Sequence, residues 1–285
     1  MTTHIKTYIH ETHIFPDSRM PFFFHKDSVK KMKALANWHD NIELLCFTEG
    51  EGYLNYDSGR FRVRAGDVAI INTNVIHLCE SENENDLIYY CLIIDTAFCE
   101  TNGIDVLSMQ FAEVAHGNRE LAGIFEELNG DFGRARSNHG SLPDRLAVYR
   151  DIMGILTILC RDYLTNTEID REDQRSRAVA SDRVKKVMTY MQNHFSEPIT
   201  LDEVAEHAGV SKYHLSREFK LFTGMTIFDS LNLLRCKEAR HMLTGGATVT
   251  EAATTCGFEN LSYFSRTFKR HIGKLPSEYV KSRNE

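Results

Sequence analysis

One short pattern occurs twice in the carboxyl-terminal third of the chain, and this repeat restricts the possible fold more than any other feature. The first copy reads Thr200-Leu-Asp-Glu-Val-Ala205, Gly209, Ser216-Arg217, Phe219-Lys220 and Gly224. The second reads Thr248-Val-Thr-Glu-Ala-Ala253, Gly257, Ser265-Arg266, Phe268-Lys269 and Gly273. The offset is 48 residues at the alanines and 49 at the Ser-Arg pairs. Each copy opens on Thr-x-x-Glu, in which the hydroxyl accepts a backbone N–H and the carboxylate reaches back to the threonine. Leu201, Val204, Ala205 and Ala208 then share one side of a short helix. Gly209 and Gly257 can take the positive φ that reverses the chain. Ser211 and Asn260 can cap a second helix. Helix, glycine turn and helix make up the sequence form of a helix-turn-helix.

The second helices have two faces. In the first copy Leu215, Phe219 and Phe222 point inward, and Tyr213, Ser216, Arg217 and Lys220 point outward. In the second copy Leu261, Phe264 and Phe268 are expected inward, and Ser262, Ser265, Arg266 and Lys269 outward. Between the copies, Ile227 to Leu243 reads as one helix, begun by Thr226 and stopped by Gly245-Gly246. At ~1.5 Å per residue it spans ~26 Å, near the ~34 Å between successive major-groove faces on one side of B-DNA. A single such pattern fits an ordinary helical hairpin equally well. Two capped copies with Arg and Lys outward favour DNA.

Net charge at first opposes that reading, because the chain carries 33 Lys+Arg against 40 Asp+Glu. Residues 1–180 hold 18 basic and 28 acidic side chains, a net of −10. Residues 181–285 hold 15 and 12, a net of +3. The repeat therefore sits in the basic third, where phosphate contact requires it. No stretch approaches the ~18 apolar residues of a membrane span, and no signal-peptide pattern opens the chain, so a cytoplasmic location is expected. Cys46, Cys79, Cys91, Cys99, Cys160, Cys236 and Cys256 are scattered and read as buried reduced thiols, neither disulfides nor a zinc site.

The amino-terminal half reads differently. Ile42–Phe47, Tyr53–Tyr56, Arg60–Arg64, Val68–Ile71 and Leu87–Ile94 are short strands separated by Gly/Asn/Asp turns. Within Arg60–Arg64, Phe61 and Val63 share one face and the arginines the other. Closely spaced strands of this kind suggest a small barrel or jelly roll. After Asp95 the period becomes helical, at Leu121, Ile124, Phe125 and Leu128, and again from Leu146 to about Leu164. The second stretch is apolar on more than one face. One stripe is expected to pack on the barrel and another on a second subunit, giving a homodimer. Residues 166–181 are polar and form the expected linker between a domain at 1–165 and one at 182–285. The fold class expected is thus α+β in two domains, a barrel with following helices and an all-α domain.

Residues ~183–282 resemble the DNA-binding domain of the AraC-type family of transcription regulators. The resemblance is carried by Ser216-Arg217, Phe219-Lys220, Gly224, Arg235, Ala239, Met242-Leu243, and by Cys256-Gly-Phe258, Ser262-Tyr-Phe-Ser-Arg-Thr-Phe-Lys269, Gly273, Pro276 and Tyr279. The chain departs from the family pattern at Ser230, Leu275 and Val280. The resemblance implies that Tyr213, Ser216 and Arg217 read base edges for the first unit, and Ser262, Ser265 and Arg266 for the second. It implies phosphate contacts from Lys212, Lys220, Lys269 and Arg270, double-stranded DNA as partner, and contact with RNA polymerase as an activator.

Residues ~1–165 resemble the sensor half of the same family: a flexible arm that would include Phe22-Phe-Phe24, a cupin-type barrel, then helices. The carrying residues are Trp38-His39, Glu43, Gly50-x-Gly52, Gly59, Ala65-Gly66-Asp67 and His77. A metal-binding cupin has His-x-His, Glu and a later His. Here Asn37 fills the first position, leaving His39, Glu43 and His77. Three ligands can still hold a metal. They can instead line a metal-free cavity, or His39 can be a surface loop residue. The metal-free cavity is the reading adopted, with no cofactor and no catalytic residue. Trp38, His39, Glu43, Tyr53, His77 and Tyr89 are its expected walls, and their mix of aromatic faces and polar groups suits a sugar. The function implied is a regulator of transcription responding to a small molecule. A metal-dependent cupin enzyme, or a constitutive regulator whose barrel only dimerises, stands as the alternative.

Overall fold

The computed structural model describes every residue except 1–8, 12, 14, 16–18, 30–34, 58, 83–85, 138–140, 166–170 and 282–285. The chain divides into two compact units, with the main boundary between Arg171 and Glu172. The first unit holds eight strands among its described residues: β1 (Phe22–Val29), β2 (Ile42–Glu49), β3 (Glu51–Tyr56), β4 (Gly59–Arg64), β5 (Val68–Ile71), β6 (His77–Ser81), β7 (Leu87–Ile94) and β8 (Val114–Ala115). Its helices are α1 (Thr96–Thr101), α2 (Arg119–Ser137) and α3 (Leu142–Ile158), the last continued by a π-helical turn at Leu159–Tyr163.

The strands form a five-stranded sheet in the order β1-β7-β2-β5-β8 and a three-stranded sheet in the order β4-β3-β6. Alternation decides what each face of the larger sheet meets. From β2, Ile42, Leu44 and Cys46 pack with Leu121, Phe125 and Leu128 of α2 and Val148, Ile152 and Ile155 of α3. Leu45 and Phe47 point the other way, to Leu54, Val63 and Cys79 of the smaller sheet. The unit is therefore three layers: small sheet, large sheet, helices. Val63 is fully buried while Arg60, Arg62 and Arg64 are exposed, as the alternation in β4 requires.

Two expectations fail here. Phe22-Phe-Phe24 is the start of β1, paired antiparallel with β7 from Phe22↔Ile94 onward. Phe22 and Phe24 are buried in the helix-facing core, while Phe23 faces the other side and stacks on Phe15. The apolar run thus belongs to a strand, because a sheet buried on both faces needs no alternation. The second failure is α3. Val148, Ile152, Ile155, Leu156 and Ile158 are all consumed by the unit's own core. Only Leu142 and Leu146, 61% and 56% exposed, stay uncovered at its amino-terminal end.

The second unit is helical: α4 (Arg171–His194), α5 (Leu201–Ala208), α6 (Lys212–Thr223), α7 (Ile227–Gly245), α8 (Val249–Thr255), α9 (Leu261–Ile272) and α10 (Pro276–Lys281). Of the polar stretch 166–181, residues 166–170 lie outside the described residues and the remainder opens α4. Its later core joins Cys236, Ala239 and Leu243 of α7 to Ala252 and Ala253 of α8 and Phe264, Phe268 and Ile272 of α9. The cysteines are free and, Cys160 apart, buried. Burial pushes the thiols of Cys46, Cys79, Cys99, Cys236 and Cys256 up to about 12.

Candidate functional site

Both repeats fold by the same local logic. Thr200 accepts the Glu203 N–H at 3.3 Å and donates its own N–H to Glu203 Oε2 at 2.8 Å. Thr248 and Glu251 repeat this at 3.2 and 2.8 Å. The hydrogen bonds from the threonine backbone and hydroxyl hold both carboxyls below the usual range. Gly209 closes α5 at φ 69°. In the second copy α8 ends on Cys256, and Gly257 takes the positive φ of 77°. The connection is 209–211 in the first copy and 256–260 in the second, a longer turn that agrees with the change of offset from 48 to 49. Ser211 caps α6 through the His214 N–H, and Asn260 caps α9 through the Tyr263 N–H.

These devices fix the faces of α6 and α9. Leu215, Phe219 and Phe222 are buried, as are Phe264 and Phe268. Leu261 is not: it is 44% exposed at the first turn of α9, before the helix reaches the core. Arg217, Lys220, Ser262, Arg266 and Lys269 are exposed, and Ser216 and Ser265 are half-buried. Tyr213 is 80% exposed, an unusual setting for so large a ring. Among the described residues no acid pairs with Arg217, Lys220, Arg266 or Lys269. Lys212 and Arg270 differ. Lys212 Nζ lies 2.8 Å from Asp202, and Arg270 lies 3.3 Å from Asp229 of α7.

Helix α7 joins the two copies. It runs from its Thr226 cap through Gly245, two residues past the expected end, and stops at the αL residue Gly246. At ~1.5 Å per residue its length is ~28 Å. Asn232 on α7 donates to the Tyr263 hydroxyl on α9 at 3.1 Å. Arg235 donates to the carbonyls of Phe195 and Glu197 at 2.6 and 2.7 Å, tying α7 to the end of α4. Leu275 offers no capping hydroxyl before α10, but its N–H donates to Glu278 Oε2 at 2.7 Å. Ser230 is buried in α7. Residue spacing did not single out His214, whose Nε2 lies 2.9 Å from Glu218, itself held by Arg183.

In the first unit, three of the six expected effector residues come together. His39 Nε2 lies 3.0 Å and His77 Nε2 3.1 Å from the same Glu43 Oε2. All three are buried, so His39 is no surface loop residue. Each imidazole is held from behind: His39 Nδ1 donates to the Asn41 carbonyl at 2.9 Å and His77 Nδ1 to the Val75 carbonyl at 3.0 Å. The Cys91 thiol donates to Glu43 Oε1 at 3.0 Å. Burial alone would raise the Glu43 carboxyl. The hydrogen bonds from His39 and His77, with their charges, outweigh it and hold the group well below the usual carboxylate range.

The remaining three residues are placed differently. Trp38 is half-buried beside His39. Tyr89 joins the core between the sheets, edge-on to Phe47, and burial raises its hydroxyl above the ordinary value. Tyr53 does not share this interior. Leu54 and Tyr56 take the inward positions of β3, so Tyr53 faces outward. It donates to Glu82 at 3.1 Å under the Arg60 guanidinium, 3.8 Å from the ring centroid. Sequence reasoning missed Cys91. The signal lies in β7, where Leu87, Tyr89, Cys91 and Ile93 share the inter-sheet face, with Ile93 opposite Glu43 and Cys91 diagonal to it.

Comparison with known proteins agrees with this architecture. The model of an AraC-like ligand binding domain matches residues 36–147, and that of a helix-turn-helix domain matches residues 204–282. The chain belongs to the AraC-type family of transcription regulators. It is 24% identical over 283 residues to the HTH-type transcriptional activator RhaS of Salmonella schwarzengrund, covering 98% of each chain. It is 23% identical over 252 residues to the uncharacterized HTH-type transcriptional regulator YdeC of Bacillus subtilis, covering 86% of this chain and 85% of that one. Among solved structures, fatty-acid-bound ToxT of Vibrio cholerae aligns over 91% of this chain and 94% of its own, at 16% identity and TM-score 0.46. As in other AraC-type regulators, a ligand-binding unit precedes a DNA-binding unit of two helix-turn-helix motifs, and no described helix is long and apolar enough to cross a membrane.

Proposed function

We propose that each chain reads an asymmetric DNA site by placing α6 and α9 in successive major grooves. One observation carries this reading. At equivalent positions of the two copies, Arg217 with Lys220 and Arg266 with Lys269 stand exposed with no acid partner among the described residues. Cations left unpaired on a rigid helix face are ready to meet phosphates and guanines. In this reading Tyr213, Ser216 and Arg217 contact bases for the first motif, and Ser262, Ser265 and Arg266 for the second. Lys212, Lys220, Lys269 and Arg270 contact phosphates. Tyr213 against Ser262 at comparable places makes the two half-sites different. Arg266→Ala is expected to remove about 1–3 kcal/mol of preference for the operator, whereas Lys269→Ala weakens all DNA alike. A gel-shift series on operator and scrambled DNA checks this, and equal, sequence-blind losses from both substitutions refute the division.

The first unit, in the same proposal, binds a small polar effector and shifts the balance between arrangements of the DNA-binding units, by no more than its differential affinity for them. A carbohydrate is the class favoured, on the strength of the polar His39–Glu43–His77 cluster and of Trp38, next to His39 in sequence. Tyr53, on the outer face, is dropped from that wall. The full-length relatives are regulators, which supports a regulatory and not an enzymatic role. A homodimer, RNA polymerase contact and a cytoplasmic location complete the reading, with exposed Leu142 and Leu146 supporting association. A thermal-shift panel of sugars tests the effector class. No shift with any of them rejects it.

A further inference from the structure

The His39–Glu43–His77 cluster is built as a donor set, and its hydrogen bonds say for what. A backbone carbonyl only accepts. The bonds to the carbonyls of Asn41 and Val75 therefore fix a proton on Nδ1 of both imidazoles. Each ring then aims Nε2 at one oxygen, Glu43 Oε2, from 3.0 and 3.1 Å. The thiol of Cys91 occupies the other oxygen, which turns Oε2 toward the rings. Met by protons alone, this arrangement must place a proton between Oε2 and each of two rings whose centroids are 5.1 Å apart. One divalent cation meets all three donors with both imidazoles neutral. Imidazoles pinned at Nδ1 by carbonyls are the usual support of metal-ligating histidines.

The distances fit as well. All ligand atoms lie within 4.8 Å of one another. Ligand atoms ~2.1 Å from one cation lie ~3–3.5 Å apart, and the two His–Glu separations are 3.0 and 3.1 Å. Two imidazoles and one carboxylate suit borderline first-row cations such as zinc, iron(II) or cobalt(II) better than calcium or magnesium.

We propose that His39, Glu43 and His77 bind a divalent first-row transition cation between the two sheets. Glu43 lies on β2 of the large sheet and His77 on β6 of the small one. The cation thus clips the two sheets together and makes the stability of the sensor unit metal-linked. Three protein ligands leave coordination positions for water. The proposal does not depend on the effector's being a carbohydrate.

The test uses the full chain, stripped with a chelator and titrated with cobalt(II) alone. Visible ligand-field absorption saturating at one cation per chain is expected, together with a rise in melting temperature of the sensor unit. Glu43→Gln keeps the side-chain shape and removes the charge, and His77→Ala removes a donor. Both are expected to lose the absorption and the thermal shift while retaining DNA binding by the second unit. No absorption in the unsubstituted chain overturns the proposal. So does absorption retained in Glu43→Gln, whatever becomes of His77→Ala. Zinc serves as the second probe, by competition for the cobalt signal.

Discussion

Gly257 and Gly209 occupy matching places in the repeat, yet they carry different loads. Both have positive φ, of 77° and 69°. A Cβ on Gly209 would meet nothing within 4 Å, so only backbone strain opposes a side chain there. A Cβ on Gly257 would lie 2.8 Å from the Ser196 carbonyl oxygen and 3.0 Å from that of Phe195. Backbone cannot yield as a side-chain tip can. Gly209→Ala should therefore cost about 1–2 kcal/mol, and Gly257→Ala clearly more, about 3 kcal/mol or above. Urea denaturation of the two variants checks the order, and equal losses refute the steric argument. The same scale shows what the sequence hides. Arg217 and Arg266 were legible because a helical period fixes which face a residue takes. Tyr53 was not, since one position along a strand reverses its face, and the inward positions of β3 went to Leu54 and Tyr56. Leu261 was misread because one apolar residue at a first turn can satisfy the period without reaching the core.

Among elements, the capped helices are the ones the sequence determines most fully. Thr200 and Thr248 satisfy orphan N–H groups of α5 and α8, and their glutamates return the bond. Thr200→Ala and Thr248→Ala should each cost about 1 kcal/mol. The caps also carry a sign with pH. Glu203 and Glu251 are held below their ordinary values, so their contribution is complete above the usual carboxyl range. It disappears as pH falls through the lowered folded value. Glu203→Gln with Glu251→Gln should flatten the acid side of the stability profile, read as urea midpoints across that range. An unchanged acid limb would show that the caps do not set it. Strand β1 was illegible for the opposite reason. Three phenylalanines in a row lack the alternation of a half-exposed strand, and only the pairing with β7 reveals that both their faces are covered. The terminal turns of α3 ran on as expected, but in π-helical form.

At the scale of the whole molecule, the two units carry opposite charge, and that sets how the chain meets DNA. Residues 1–180 sum to −10 and residues 181–285 to +3. A net-acidic chain binds DNA only if the binding term is local, made at the faces of α6 and α9. Counterion release is such a term: affinity falls with salt by a slope of about 0.9 per phosphate neutralised. Lys220→Ala and Lys269→Ala should therefore each lower the slope by nearly one, because neither lysine gives up an acid to reach DNA. Lys212→Ala should lower it by less, since Lys212 must first leave Asp202. Neutralising exposed acids of the first unit acts otherwise. Removing a long-range repulsion raises affinity at low salt, and screening over ~10 Å erases the gain near 0.1 M. The number of phosphates contacted, and so the contribution of each lysine, stays the same. Titrations of operator binding across a salt series separate the two effects. A slope unmoved by Lys220→Ala and Lys269→Ala would place the DNA on another surface. It would also deprive the repeated Arg-Lys stripes, the most legible feature of the sequence, of their role.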